Sequence, residues 1–136
     1  MGTGRFLKER NPDIQIVAIE PPLGERVEGL RNLDEGYIPP LFENWHGFDL
    51  LDRKLLVTNL ESVKAMRDLL HREGIWVGVS CGAAMHVTRK VAAEMDADQN
   101  VVTVFADGGA RYASANLFAE RSEDELEELM EDRLWW

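Results

Sequence analysis

Lys54–Ala84 reads KLLVTNLESVKAMRDLLHREGIWVGVSCGAA, and the rhythm of this stretch decides the fold of the whole chain. Lys54 to Thr58 is a short apolar run that predicts a strand. Thr58 and Glu61 then stand in capping-box register, where a hydroxyl and a carboxylate each satisfy a backbone N–H left open at a helix start. Val63, Met66, Leu69 and Leu70 recur at helical spacing, and Gly74 supplies the left-handed residue that ends a helix. Ile75 to Val79 predicts a second short strand. Cys81 to Met95 predicts a helix opening on the small residues Gly82, Ala83 and Ala84. Strands separated by helices of this length imply parallel βαβ units with right-handed crossovers.

The alternation extends in both directions. Arg5 to Asn11 predicts the remainder of a helix, stopped by Asn11-Pro12 because proline disfavours helix in the residue before it. Ile14, Ile16, Val17, Ala18 and Ile19 form a nearly continuous apolar run, the pattern of a strand covered on both faces. Val101 to Ala106 (VVTVFA) predicts another buried strand. Ser122 and Glu125 repeat the capping box before an acidic helix that ends in Arg133-Leu134-Trp135-Trp136. Residues 20–52 are different, broken by Pro21-Pro22, Gly24, Gly29, Gly36, Pro39-Pro40 and Gly47. So long an aperiodic stretch in a small domain is a functional loop or a disordered one, and Tyr37, Phe42, Trp45 and Phe48 favour the ordered kind. The fold class is therefore α/β with a parallel sheet. Ligands in such sheets sit at the carboxyl ends of strands, which selects the junctions after Ile19, Val79 and Ala106.

Composition sets the outer limits. The 136 residues suit one domain with one core, and 45% hydrophobic against 29% charged residues describes a globular chain rather than a disordered one. A formal net charge of -10, with no basic stripe, excludes a nucleic-acid backbone as partner. The single cysteine, Cys81, excludes an internal disulfide framework and fits a reducing compartment. No apolar run approaches membrane-spanning length and no basic-then-apolar leader opens the chain, so a cytoplasmic domain without membrane partners is expected. His46, His71 and His86 show no metal-ligand spacing among themselves or with Cys81, and no metal site is expected.

The junction Gly78-Val79-Ser80-Cys81-Gly82-Ala83-Ala84 carries the most chemistry. Ser80 stands where a strand meets a small-residue helix, and its plainest reading is a helix cap. Gly78 and Gly82 also frame Ser80 as G-x-S-x-G. An α/β-hydrolase, however, needs an acid and then a histidine downstream, and no acid lies between Ser80 and His86. That reading fails on order. A dinucleotide-binding module suggested by Gly2-x-Gly4 fails as well, because no strand precedes the glycines.

Several segments, in the same order, resemble one family. Gly78-Val79-Ser80-Cys81-Gly82-Ala83 resembles the Gly-Ile-Ser-Ser-Gly-Ala-like segment of pyridoxal-phosphate enzymes of fold type II, cysteine synthases in particular. Ala106-Asp107-Gly108-Gly109-Ala110-Arg111-Tyr112, followed by Ser114 and Leu117-Phe118, resembles their Pro-Asp-Ser-Gly-x-Arg-Tyr-like segment. Met1-Gly2-Thr3-Gly4-Arg5-Phe6-Leu7 is similar to the stretch after their glycine-rich phosphate loop, and Gly36-Tyr37-Ile38-Pro39 to their Gly-Phe-Ile-Pro. The resemblance implies the C-terminal part of a three-layer, tryptophan synthase β-like large domain over residues 1–121. Residues 122–136 then form an acidic C-terminal helix and tail.

The resemblance implies pyridoxal 5'-phosphate as cofactor, with Ser80 hydrogen-bonded to its pyridine nitrogen. A neutral hydroxyl does not hold that nitrogen protonated, which favours β-elimination and replacement over transamination. Arg31, in Gly29-Leu30-Arg31-Asn32-Leu33-Asp34-Glu35-Gly36, resembles the branch that uses O-phosphoserine rather than O-acetylserine, a guanidinium meeting the phosphate in bidentate fashion. A surface salt bridge from Arg31 to Asp34 or Glu35 is the plainer alternative. The implied activity is β-replacement by a sulfur nucleophile to give L-cysteine, with an amino acid as small-molecule substrate. A sulfur-carrier protein as partner and a homodimer of the complete enzyme are implied as well. Trp135-Trp136 resembles a plug ending of the carrier-dependent branch, or equally a staple for the last helix.

The family's Schiff-base lysine and glycine-rich phosphate cradle have no counterpart, so no catalytic residue is assigned. Lys8, Lys54, Lys64 and Lys90 all stand in other contexts. The chain is expected to be a fragment, inactive alone and prone to aggregate through exposed sheet surface. The rival readings are a cystathionine β-synthase, a serine/threonine dehydratase, or a non-catalytic remnant that binds a partner.

Overall fold

The computed structural model describes residues 1–119 and 121–131. Helix α1 (Gly2–Arg10) leads into strand β1 (Val17–Glu20), and a long connection carries the short helix α2 (Pro40–Asn44). Strand β2 (Arg53–Leu56), helix α3 (Asn59–Glu73) and helix α4 (Val79–Ala92) follow, and helix α5 (Glu123–Glu131) closes the described chain. The two strands pair in parallel, Val17 opposite Arg53 and Glu20 opposite Leu56. No helix among the described residues is long and apolar enough to cross a membrane. Trp135 and Trp136, read above as either a plug or a staple, lie outside the described residues.

α3 forms as its sequence dictates. Thr58 Oγ1 accepts from the Glu61 N–H at 3.2 Å, and the Glu61 carboxylate accepts from the Thr58 N–H at 2.8 Å. Gly74 ends the helix at φ 68°. The face carrying Val63, Met66 and Leu69 is buried, and the same core takes in Val57, Val77, Val79, Val87, Tyr112 and Leu126. Leu126 thus fixes α5 to the body. Ser62 is fully buried as well, and its hydroxyl donates to the Thr58 carbonyl at 2.7 Å, so its burial leaves no unmet donor.

α4 packs backbone-close on α3. A Cβ at Gly82 would collide with the Ser62 carbonyl oxygen and would stand 2.8 Å from the Met66 Cβ. Only glycine permits that approach, which is the physical reason for the small-residue opening of this helix. At the opposite end of the sheet, the Asp52 carboxylate accepts from the Ile16 N–H at 2.6 Å and pairs with Lys8 at 2.8 Å. The backbone N–H of Ile16 and then the Lys8 ammonium hold the Asp52 carboxyl below its ordinary range.

Three sequence expectations need correction. Val101–Ala106 is extended but is not a buried strand: Val102 is 89% and Val104 77% exposed. A strand is defined by a neighbour, and among the described residues none lies beside this run. Ile75–Val79 forms one antiparallel bridge, Val77 with Gly108, where a parallel strand was expected. The helix assigned to Cys81–Met95 begins earlier, at Val79 with Gly78 as N-cap, and ends at Ala92. Ser80 therefore lies inside the first turn and does not cap it. The long connection is ordered, as its aromatics predict: Phe42 and Phe48 meet edge to face at 5.0 Å, and Arg5 lies over Trp45 at 5.3 Å.

The Gly82 contact gives the first prediction. Gly82→Ala should lower stability by about 1–3 kcal/mol through overpacking. Urea unfolding followed by circular dichroism checks it, and an unchanged midpoint would show that the two helices can separate freely.

Candidate functional site

The carboxyl end of β1 is Glu20, and its carboxylate is only 2% exposed. One oxygen accepts the Leu33 N–H at 3.0 Å; the other lies 2.7 Å from the Lys54 ammonium. Lys54 sits opposite Ala18 across the parallel pair, and Glu20 is two residues further on the same face, within reach of a long side chain. The same ammonium holds Asp34 at 2.6 Å. Hydrogen bonds donated to Asp34 and then to Glu20 raise the Lys54 ammonium above its ordinary range, so it stays charged.

These contacts fold residues 21–36 back over the strand end. Asn32, fully buried, donates from its side-chain amide to the Pro21 carbonyl at 2.7 Å and accepts from the Asp34 N–H at 2.7 Å. Glu25 accepts the Asn59 N–H at 2.7 Å, tying the loop to the start of α3. Gly29 turns at φ 84°, and a Cβ there would stand 3.2 Å from the Ser80 Cβ. The loop therefore rests on Ser80.

Beneath the loop lies a cavity of about 480 Å³. Glu28 and Arg31 line it from above, Val79 from the first turn of α4, and Tyr112 and Leu117 from the opposite side. Ser80 is half-buried and does not itself line the cavity; its side chain lies against Gly29, and its neighbour Val79 is the lining residue. Arg31 is exposed and stacks over Tyr37 at 4.7 Å, rather than forming the salt bridge to Asp34 that sequence alone favours. Asp34 is engaged with Lys54 instead. Thus segments beside all three strand-end junctions line one cavity: Pro21 after Glu20, Val79 before Ser80, and Tyr112 and Leu117 after Ala106.

The third junction supports the second from behind. The Asp107 carboxylate accepts from the Tyr112 hydroxyl at 3.0 Å and from the Cys81 thiol at 3.3 Å, while its carbonyl accepts the Gly78 N–H at 3.3 Å. A side chain at Gly78 would collide with Asp107 and Tyr112. Cys81 is buried, as expected of a thiol packed in an apolar helix face. Burial first, and then the hydrogen bond to Asp107, push the Tyr112 hydroxyl far above its ordinary 10.0. Tyr112 is a neutral donor at any physiological pH.

The cavity fits one part of pyridoxal phosphate. The apolar side chains of Val79 and Leu117 suit the ring, while Ser80, next to Val79 in the chain, is not among the residues that line the cavity. It offers no lysine among the described lining residues. Lys8 pairs with Asp52, Lys54 with Glu20 and Asp34, and Lys90 with Glu61. Among the described residues no cluster of three or more His, Cys, Asp or Glu could hold a metal ion. Sequence reasoning missed Glu20, Lys54 and Asp34, whose meeting depends on strand register. The one visible signal was an acid ending an apolar strand.

Comparison with known proteins agrees with the geometry. A family model described as "Pyridoxal-phosphate dependent enzyme" matches residues 1–107. Cysteine synthase of Aquifex aeolicus is 34% identical over 125 residues, covering 89% of this chain and 37% of that protein. Cysteine synthase B of Escherichia coli is 34% identical over 119 residues, covering 88% and 38%. Among solved structures, the O-acetylserine dependent cystathionine β-synthase of Helicobacter pylori superposes with a TM-score of 0.69 at 33% identity, covering 83% of this chain and 38% of that one. Cysteine synthase of Entamoeba histolytica gives a TM-score of 0.72 at 24% identity, over 96% and 41%, a likeness of fold. The chain thus spans well under half the length of each of these relatives.

The Asp107–Tyr112 hydrogen bond is directly measurable. Tyr112 favours its neutral form in the folded state, so its contribution to stability is present below its ordinary 10.0 and is lost at higher pH. Asp107→Asn should move the high-pH tyrosine absorbance step downward, and Tyr112→Phe should remove it. A step unmoved in Asp107→Asn would mean the carboxylate does not hold the hydroxyl.

Proposed function

The chain belongs to the family of pyridoxal-phosphate dependent enzymes, and from that premise we propose that it is the C-terminal part of a cysteine synthase's large domain, acting on O-phosphoserine. The observation that carries the substrate is Arg31 on the wall of the cavity, two residues from the glycine that rests on Ser80. The complete enzyme then replaces the phosphate of O-phosphoserine by a sulfur nucleophile and releases L-cysteine. O-acetylserine is the alternative substrate, recognised without a cationic partner.

The roles of the chain's own residues follow from chemistry. The Arg31 guanidinium presents parallel N–H donors that match two phosphate oxygens, and its planar face is already steadied by Tyr37. Ser80 would donate from its hydroxyl to the pyridine nitrogen of the bound cofactor. Bound pyridoxal phosphate supplies an electron sink for the carbanion left when the α-proton departs. Because a hydroxyl does not protonate that nitrogen, Ser80 keeps the sink moderate, which suits loss of a β-substituent. Val79, Tyr112 and Leu117 shield the floor from water.

In this reading the lysine that the family requires comes from the part of the relatives' length that the chain does not span. The complete enzyme is a cytoplasmic homodimer, and its sulfur donor is sulfide or the thiocarboxylate of a carrier protein. A second reading is cystathionine β-synthase chemistry, favoured by the Helicobacter pylori neighbour. Arg31 favours a phosphorylated substrate over that one. A third is a remnant that binds only a partner. Titration of the complete enzyme with pyridoxal 5'-phosphate separates it, since Ser80→Ala alters the cofactor's absorbance there only if this chain holds the cofactor.

Arg31→Gln removes charge-assisted hydrogen bonds worth about 1.5–3 kcal/mol, so O-phosphoserine affinity should fall roughly tenfold to a hundredfold. O-acetylserine affinity should hold. Calorimetric titration of both amino acids into both proteins checks it, and an equal loss for the two would remove Arg31 from substrate recognition.

A further inference from the structure

The loop that carries Arg31 is anchored by Val27, buried in the core, and by Leu30, packed against it. Beyond these, polar contacts hold it, and those of Leu33 and Asp34 lead to one side chain, Lys54. We propose that Lys54 is a positioning residue for the substrate loop: its ammonium bridges the Glu20 carboxylate at the strand end and the Asp34 carboxylate on the loop, and so fixes Arg31 at the cavity.

The geometry is specific. Three successive residues after Arg31 are each tied down: Asn32 by its amide to the Pro21 carbonyl, Leu33 by its N–H to Glu20, and Asp34 by its carboxylate to Lys54. Lys54 meets Glu20 at 2.7 Å and Asp34 at 2.6 Å. Two carboxylates face one ammonium, and the buried one, Glu20, depends on it. A carboxylate this deep without a cation would draw in water or a proton and release the Leu33 N–H it accepts. The next acidic residue, Glu35, is used elsewhere, accepting the Gly24 N–H at 3.3 Å. An edge-strand lysine is ordinarily a solvated charge that discourages strand pairing. This one points its charge along the strand to the ligand end instead. The loop's purpose rests on the phosphate-binding reading of Arg31; the latch itself rests on geometry alone.

An arginine-specific protease reads the loop directly, because Arg26 and Arg31 lie on it while Arg72 lies in the last turn of α3. The measurement is the rate of cleavage after Arg31 relative to that after Arg72, on the unliganded full chain. Lys54→Met should raise this ratio roughly tenfold, since cleavage tracks the population of the open loop. Lys54→Arg, which keeps the charge, should restore it. A wild-type ratio in Lys54→Met overturns the proposal, and so does a raised ratio in Lys54→Arg. Should Lys54→Met be cut alike at every arginine, Asp34→Asn decides, because it frees the loop and leaves the Glu20–Lys54 pair intact. A raised ratio there supports the latch; an unchanged one overturns it. O-phosphoserine added to the wild type should slow the same cut. If it does not, the substrate reading of Arg31 falls, while the latch stands on the ligand-free rates.

Discussion

The close contact between α3 and α4 at Gly82 governs the rest of the molecule. With no side chain at that point, the backbone of α4 lies against Ser62 and Met66, and the start of the helix is carried to one fixed place. That place is the margin of the cavity. Val79 is delivered to its lining, and Ser80 to the loop, where Gly29 lies against it. A bulkier residue at position 82 would push the first turn of α4 off α3, and Val79 would move with it. Packing far from the ligand sets the geometry near it.

Two kinds of support hold the opposite walls. The floor is covalently short and apolar, braced by Asp107 through Tyr112, Cys81 and the Gly78 N–H. The roof is a loop held by charge and backbone amides at the end of β1. Such an arrangement gives a rigid side that carries Val79 and a more compliant side that carries the Arg31 guanidinium. Loops placed over a rigid frame are where substrate recognition is generally found, because they change without disturbing the core.

Much of this was legible in the sequence, and the boundary of legibility is physical. α3 was readable to the residue because its signals are local: Thr58 with Glu61 at one end, Gly74 at the other, and an apolar stripe between them. The strand character of Val17–Glu20 and Arg53–Leu56 was readable for the same reason. Val101–Ala106 misled because β-branched residues announce the capacity for a strand, and only a neighbour makes one. The start of α4 moved to Val79 because Asp107 and Tyr112, distant in sequence, crowd Gly78 into the N-cap. Ser80 and Arg31 could be singled out by resemblance, and the cavity now associates their two segments. The Glu20–Lys54–Asp34 cluster was invisible, since it exists only once the register of a parallel pair is known. Parallel pairing joins residues that no local window sees together.

That parallel pairing also sets an order of assembly. Ile16 and Asp52, which meet beside the paired strands, stand 36 residues apart, whereas α3 and α4 are joined by a short turn at Gly74–Gly78. Loop closure grows more costly with length, so the helical hairpin organises early and the two strands find each other late. The cavity takes Val79 from the early unit, while its loop wall waits for the late one. Its shape is therefore among the last things the folding chain acquires and among the first it surrenders when heated.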